Sequence, residues 1–139
     1  MKCVELSTTG NFDPWETSKL QELRQKRIGQ SLGQELLFEN KNIRVWEVIL
    51  FPKERLPFRK VNNNYNLVSM TDGLAVTRCG SGKISLLRIK QGDSVFINAE
   101  GTESVCDLEN IGENILFLHI MEFKPLILKA YNSNISSFS

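Results

Sequence analysis

Five residues carry most of the chemistry this sequence can offer: Arg59, Asn64, Asn66, Cys106 and His119. A guanidinium can grip a carboxylate or phosphate through paired hydrogen bonds while neighbouring amides read the adjoining atoms, and Asn64, Tyr65 and Asn66 follow Arg59 closely in "FRKVNNNYN". The plainer reading of the same stretch is a solvated loop whose Arg points outward. A thiol at Cys106 near such a cation gains nucleophilic or redox character, because the thiolate is the reactive form; otherwise Cys106 is a small buried hydrophobe. His119, the only histidine, lies inside "LFLHIME". It reads as a core or interface histidine, or, with Cys106 and an amide, as part of a metal set that falls short of the three or more good ligands a stable site needs. Glu47 and Glu103 are further carboxylates, but nothing in the sequence pairs them for acid–base work, and no catalytic residue is assigned.

These residues sit in a chain of 139, long enough for one core and too short for two ordinary domains. Seventeen basic residues against sixteen acidic ones give no field of one sign, so neither nucleic acid nor an anionic membrane is an expected partner. No apolar run approaches the roughly eighteen residues of a membrane helix, and "MKCVELSTTGN" has no apolar segment of a secretory leader. A cytoplasmic location is expected. Cys3, Cys79 and Cys106 are odd in number and lack CxxC spacing, which predicts reduced thiols rather than a disulfide framework.

The elements that must position the five residues are mainly strands. "DPWETSKLQELRQKR" predicts a short helix from Pro14 to about Arg27, with Asp13 as cap and Glu16 completing a capping box; its apolar stripe of Trp15, Leu20 and Leu23 is narrow, so it packs on the outside. From Leu36 onward, strand signals recur: "ELLFE", "NIRVWEVILF", "YNLVSMT", "LAVTRC", "KISLLRI", "DSVFIN", "SVCDLEN" and "NILFLHIMEF". Turn signals such as Asp72-Gly73 and Gly92-Asp93 separate them. About eight short strands without βαβ alternation make an all-β sandwich or barrel. "LPFRK" reads as loop leading into the strand at Tyr65. The expected organisation is an N-terminal extension over 1–33, a barrel over 34–124, and a Ser- and Asn-rich loose tail over 125–139.

The order and spacing of turns resemble the cupins, single-domain RmlC-like jelly-roll β-barrels, over about Gly33 to Phe123. "NIRVWEVILFPKERLPF" is similar to the family's opening strand and proline-containing turn, "IKQGDSVFINAEG" to the Gly-Asp turn of its second motif, and "LENIGENILFLHI" to the turn before the last barrel strand. With the last Gly of the first motif on Gly73, the family's Glu falls on Asn66 and its two His on Arg59 and Val61. The His of the second motif falls on Cys106 and its Asn on Asn110. All four metal positions are therefore replaced: Arg59 has no acceptor, Val61 has no lone pair, and Asn66 offers a neutral amide. The resemblance implies a homodimer with no metal and no cofactor, binding a small, anionic, apolar-bodied molecule in the barrel or serving as a structural or regulatory subunit. Val48, Val68, Met70, Val95 and Ile97 are candidates to line it. The alternative is an enzyme of the isomerase or epimerase kind, with His119 as base and Tyr65 or Tyr131 as acid, or one with a displaced metal site on His119 and Cys106.

Overall fold

In a computed structural model, which describes residues 1–25, 27–100 and 105–125, ten strands close on one another as two five-stranded antiparallel sheets. The first sheet has the order β1 (Lys2–Ser7), β7 (Ile84–Ile89), β6 (Gly73–Arg78), β9 (Val105–Asn110) and β4 (Arg55–Lys60). The second runs β2 (Glu35–Glu39), β3 (Ile43–Leu50), β10 (Leu116–Phe123), β5 (Tyr65–Ser69) and β8 (Ser94–Ile97). This is the all-β barrel expected. Alternation sets what each strand gives to the interior: on β10, Leu116, Leu118, Ile120 and Glu122 are buried, while Phe117, His119, Met121 and Phe123 take the other face. Val48, Leu50, Leu56 and Leu108 join the leucines and isoleucine of β10 in one core.

All eight expected strand segments form, and two strands are added. β1 extends the first sheet by pairing with β7, and β4 occupies "RLPFRK", of which "LPFRK" is read above as loop. The helix is shorter than expected, Thr17–Leu23, and Asp13 does not cap it. The reason is Trp15. Its indole stacks on Phe58 at 5.9 Å and donates from Nε1 to the Gly82 carbonyl at 3.0 Å, holding the chain before Thr17 against the barrel in a non-helical turn. The helix does lie on the outside, with none of its residues buried.

The thiol expectation is corrected: Cys79 and Cys106 form a disulfide, and Cys3 is free and exposed. The two stand directly opposite each other where β6 meets β9, with Cα atoms 4.2 Å apart across 27 residues of sequence. Strand pairing brings them together, and spacing along the chain gives no sign of it. Among the described residues no helix is long and apolar enough to cross a membrane. The C-terminal stretch "NSNISSFS", Tyr131 and Glu103 lie outside the described residues.

Two local features fix the barrel ends. Asn110 is fully buried and ties the turn before β10 by donating from Nδ2 to the carbonyls of Leu50 and Asn114, both at 2.8 Å, while its Oδ1 accepts the Gly112 N–H. Gly33 crosses β3 so closely that a Cβ there would fall 2.6 Å from Trp46 Cβ and 2.8 Å from the Glu47 carbonyl oxygen; only glycine fits.

Candidate functional site

Arg59 enters the barrel because β4 bulges. Leu56 pairs with Leu108, but Arg59 pairs with Cys106, so β4 spends one residue more than β9 between these points. Without the extra residue Phe58 would share the inward face of Leu56. With it, Phe58 turns outward onto Trp15 and Arg59 turns inward. Pro57, exposed and lacking an N–H, suits the bulge, and the Phe58 N–H donates to Glu22 Oε2 at 3.0 Å instead of to the ladder.

Between the sheets lies a cavity of about 420 Å³ into which Arg59 projects. Its walls are largely apolar, with Leu67, Leu87, Val95, Ile97, Leu118 and Ile120. Its polar lining residues come from both sheets: Arg59, Tyr65, Thr77, Lys83, Ser85 and Asp107, with the Cys79–Cys106 disulfide. Exposed Cys3 and Met1 line the same space, so the cavity reaches solvent there.

The guanidinium of Arg59 is held from one side only. One Nη donates to the Leu32 carbonyl, while Nε is buried and has no hydrogen-bond partner among the described residues. Burial lowers the pKa of Arg59 from the usual arginine value, and the neighbouring Tyr65 and Asp107 oppose that shift. The side chain remains a cation. Burial also raises the Tyr65 phenol, against the pull of Arg59, so at neutral pH it is a protonated O–H donor.

Behind the cavity wall, on the outer face of the first sheet, a charged network fixes β4, β6 and β9 together. The fully buried Asp107 carboxylate accepts from Arg55 Nε at 2.6 Å, Arg78 Nη1 at 2.9 Å and the Arg78 backbone N–H at 2.6 Å. Arg55 reaches on to Glu22 with bonds of 2.7 and 2.9 Å, which attaches the helix. The hydrogen bond from Arg55 holds the Glu22 carboxyl below its usual pKa, and the Phe58 N–H adds to the effect against the cost of burial.

Of the sequence candidates, Arg59 and Cys106 come together at the cavity; the other three do not join them. Asn66 lies on β5 between Tyr65 and Leu67, which face in, and so takes the outer face. Asn64 braces a loop, its Oδ1 accepting the Ala99 N–H at 2.8 Å. His119 is on the outer face of β10, beside Glu47 at 3.7 Å. His119 therefore meets neither Tyr65 nor Cys106, so among the described residues neither a His119–Tyr65 acid–base pair nor the displaced metal set is assembled; Tyr131, the other acid expected, lies outside them. Val95 and Ile97 line the cavity, Val48 lies in the core, and Val68 and Met70 do not line it. Sequence reasoning missed Lys83, Thr77 and Ser85 as cavity residues, together with Cys79; the alternation of β6 and β7 carried that signal once their register was known.

A divalent metal does not fit the positions where a cupin would hold one. Arg59 presents a buried cation there, Val61 is buried and apolar, Asn66 faces away, and Cys106 is bonded to Cys79. Among the described residues, no group of three or more His, Cys, Asp or Glu is arranged to hold an ion.

No family model matches the sequence, and no curated protein does. Solved structures do match. A cupin domain from Bordetella pertussis superposes with a TM-score of 0.59 at 18% identity, covering 73% of this chain and 99% of that one. A conserved protein with a double-stranded β-helix domain from Klebsiella pneumoniae gives 0.52 at 15% identity, covering 69% and 82%. An RmlC-like cupin family protein from Methanocaldococcus jannaschii gives 0.50 at 19% identity, covering 64% and 76%. At these identities the likeness shows the fold alone: with its two facing antiparallel sheets, this chain has the double-stranded β-helix fold of these cupin structures.

Proposed function

We propose that the protein is a metal-free, cytoplasmic binding protein that takes a small carboxylate with an apolar body into its barrel. The observation that carries this reading is Arg59 Nε, a buried charged donor without a partner among the described residues, set in a cavity whose other walls are mostly apolar. Buried donors are nearly always paired, and a ligand in this cavity would supply the acceptor that Arg59 Nε lacks. A carboxylate is the matching acceptor, with the Tyr65 hydroxyl as a second donor, and the aliphatic walls suit the ligand's body. The volume fits a small metabolite rather than a nucleotide or a chain. Calorimetric titration with phenylacetate and its neutral analogue phenylacetamide tests this. The acid should bind at least tenfold more tightly, and Arg59→Met should remove the difference. Equal behaviour of acid and amide overturns the reading.

A second copy of the chain is the partner proposed for the outer face of the second sheet. The register places Phe38, Val45, Met121, Asn66 and Phe96 in one row across all five strands, and Phe38, Met121 and Phe96 are 52%, 39% and 56% exposed. The face is five strands wide and eight residues long at most, roughly 24 by 26 Å or ~600 Å² in outline, somewhat below the ~800 Å² each partner gives to a standard interface. His119 stands near its centre, its Nε2 3.7 Å from Glu47 Oε2 of the same chain. Sedimentation at micromolar concentration should give twice 15.9 kDa, and Met121→Glu should give the monomer mass. A wild-type mass near that of one chain counts against the pairing.

A further inference from the structure

All three cysteines of this chain, at positions 3, 79 and 106, line the same cavity although they are far apart in sequence. We propose that the Cys79–Cys106 disulfide is an exchange site for small-molecule thiols, reached through the cavity, and that Arg59 holds the thiolate released on Cys106.

The argument begins with register. Arg59 and Cys106 are directly opposite on β4 and β9, both on the inward face, and directly opposed Cβ atoms lie about 4.5–5.5 Å apart. The Cys106 side chain thus starts on the same inward face as that of Arg59, whose guanidinium Nε has no hydrogen-bond partner among the described residues. A thiolate is favoured beside a fixed cation, and in thiol–disulfide exchange the sulfur that leaves most readily is the one whose thiolate is most stable. Across the β6–β7 hairpin Cys79 faces Lys83, to whose carbonyl its backbone N–H donates, but the Lys83 side chain is only half-buried and its charge is screened by solvent, whereas Arg59 Nε, on the residue opposite Cys106, is buried. The asymmetry makes Cys79 the sulfur attacked and Cys106 the leaving group.

The step balances as ordinary exchange. A small thiolate entering past Cys3 attacks Cys79 Sγ; a new S–S bond forms, the Cys79–Cys106 bond breaks, and its electron pair remains on Cys106 as a thiolate against Arg59. A second thiolate attacks the small molecule's sulfur in that mixed disulfide. This releases the small-molecule disulfide and a Cys79 thiolate that takes a proton from solvent. The protein bridge gains two electrons and the two small thiols lose them. A bridge with this behaviour also suits the cytoplasmic location proposed above, where persistent structural disulfides are rare and redox-active ones are the usual kind.

This inference shares Arg59 with the carboxylate reading but does not depend on it, and its test uses no carboxylate. Oxidised protein is incubated with reduced glutathione, quenched in acid and mapped by mass spectrometry. Reduced protein is alkylated with iodoacetamide across pH, with the rate followed at each cysteine. Glutathione should be found on Cys79 and not on Cys106. The alkylation midpoint of Cys106 should lie at least one pH unit below that of Cys3, which makes its thiolate fraction roughly tenfold larger near neutral pH. Arg59→Met should bring the two midpoints together and Arg59→Lys should keep them apart. If Arg59→Met does not fold, Cys79→Ser, made alone and then together with Arg59→Lys, reads the same midpoint. Reduction only after denaturant, glutathione on Cys106, or a Cys106 midpoint equal to that of Cys3 in the wild type overturns the proposal.

Discussion

Replacing Arg59 by methionine should leave the stability of the ligand-free protein nearly unchanged while abolishing carboxylate binding. Two opposing quantities set the size of the change. The substitution loses the charge-assisted bond to the Leu32 carbonyl, about 1.5–3 kcal/mol, and leaves that acceptor less well satisfied. It also removes a guanidinium whose Nε is buried without a partner among the described residues, and replacing a buried ion by an apolar side chain of similar length is typically neutral or stabilising by about 1–4 kcal/mol. The two ranges overlap, so the net change should stay within about 1 kcal/mol of zero. At roughly 2.1 cal/mol/K of unfolding entropy per residue, a chain of 139 has about 0.3 kcal/mol/K, so Tm should move by no more than about 3 °C. Phenylacetate at a hundred times its Kd should raise the wild-type Tm by an amount equivalent to about 2.7 kcal/mol and leave the variant unmoved. Differential scanning calorimetry with and without phenylacetate measures both. A variant melting about 5 °C or more below wild type would refute the reasoning, because Arg59 would then be a structural strut bonded to Leu32 and not a donor kept for a ligand.

Gly33→Ala should lower stability by about 2 kcal/mol or more in urea denaturation, since the new Cβ meets β3 backbone that cannot give way; a change under about 0.5 kcal/mol would mean the crossing is looser than the structure shows. Trp15→Ala should cost about 3 kcal/mol or more, removing a buried indole, its stacking on Phe58 and its bond to Gly82; near-neutral behaviour would mean the N-terminal segment does not clasp the barrel in solution. The lowered pKa of Glu22 makes its contribution fully present above the unfolded-state value of about 4.3 and lost as pH falls through the folded-state value. Stability of the wild type should therefore fall below about pH 4.3 more steeply than that of Glu22→Gln in denaturant titrations across about pH 3–7, and parallel curves would contradict the pairing with Arg55.

How much of this was legible in the sequence depends on the range of the interaction that decides each feature. Strand alternation and turn residues are local, and the eight strands from "ELLFE" to "NILFLHIMEF" stood in the sequence for that reason. β1 and β4 were not legible: β1 exists because β7 offers it an edge, and β4 carries a proline that reads as a break until a bulge accommodates it. The helix start was misplaced because Asp13 and Pro14 are good local signals, yet Trp15 gains more from burial against Phe58 than the first turn gains from a cap. Asn66 and His119 look like site residues by type, and the period of two sends both to the outer face. The disulfide depends on which strand ends meet, a property of the closed barrel that no spacing rule for cysteines contains.

The bulge in β4 joins the outside of the barrel to its inside. Glu22 takes the Phe58 N–H that a regular ladder would have used, and its carboxylate also clamps Arg55, which in turn grips Asp107 on β9. The same stretch of β4 sends Phe58 out to Trp15 and Arg59 in to the cavity. A regular β4 would reverse both, setting an arginine among the aromatic clasp and a phenylalanine in the cavity. The charged network therefore does more than fasten a helix to the barrel. It holds the register that makes Arg59 available to a ligand, so changes at Glu22, which touches nothing in the cavity, should reach the binding site through the bulge.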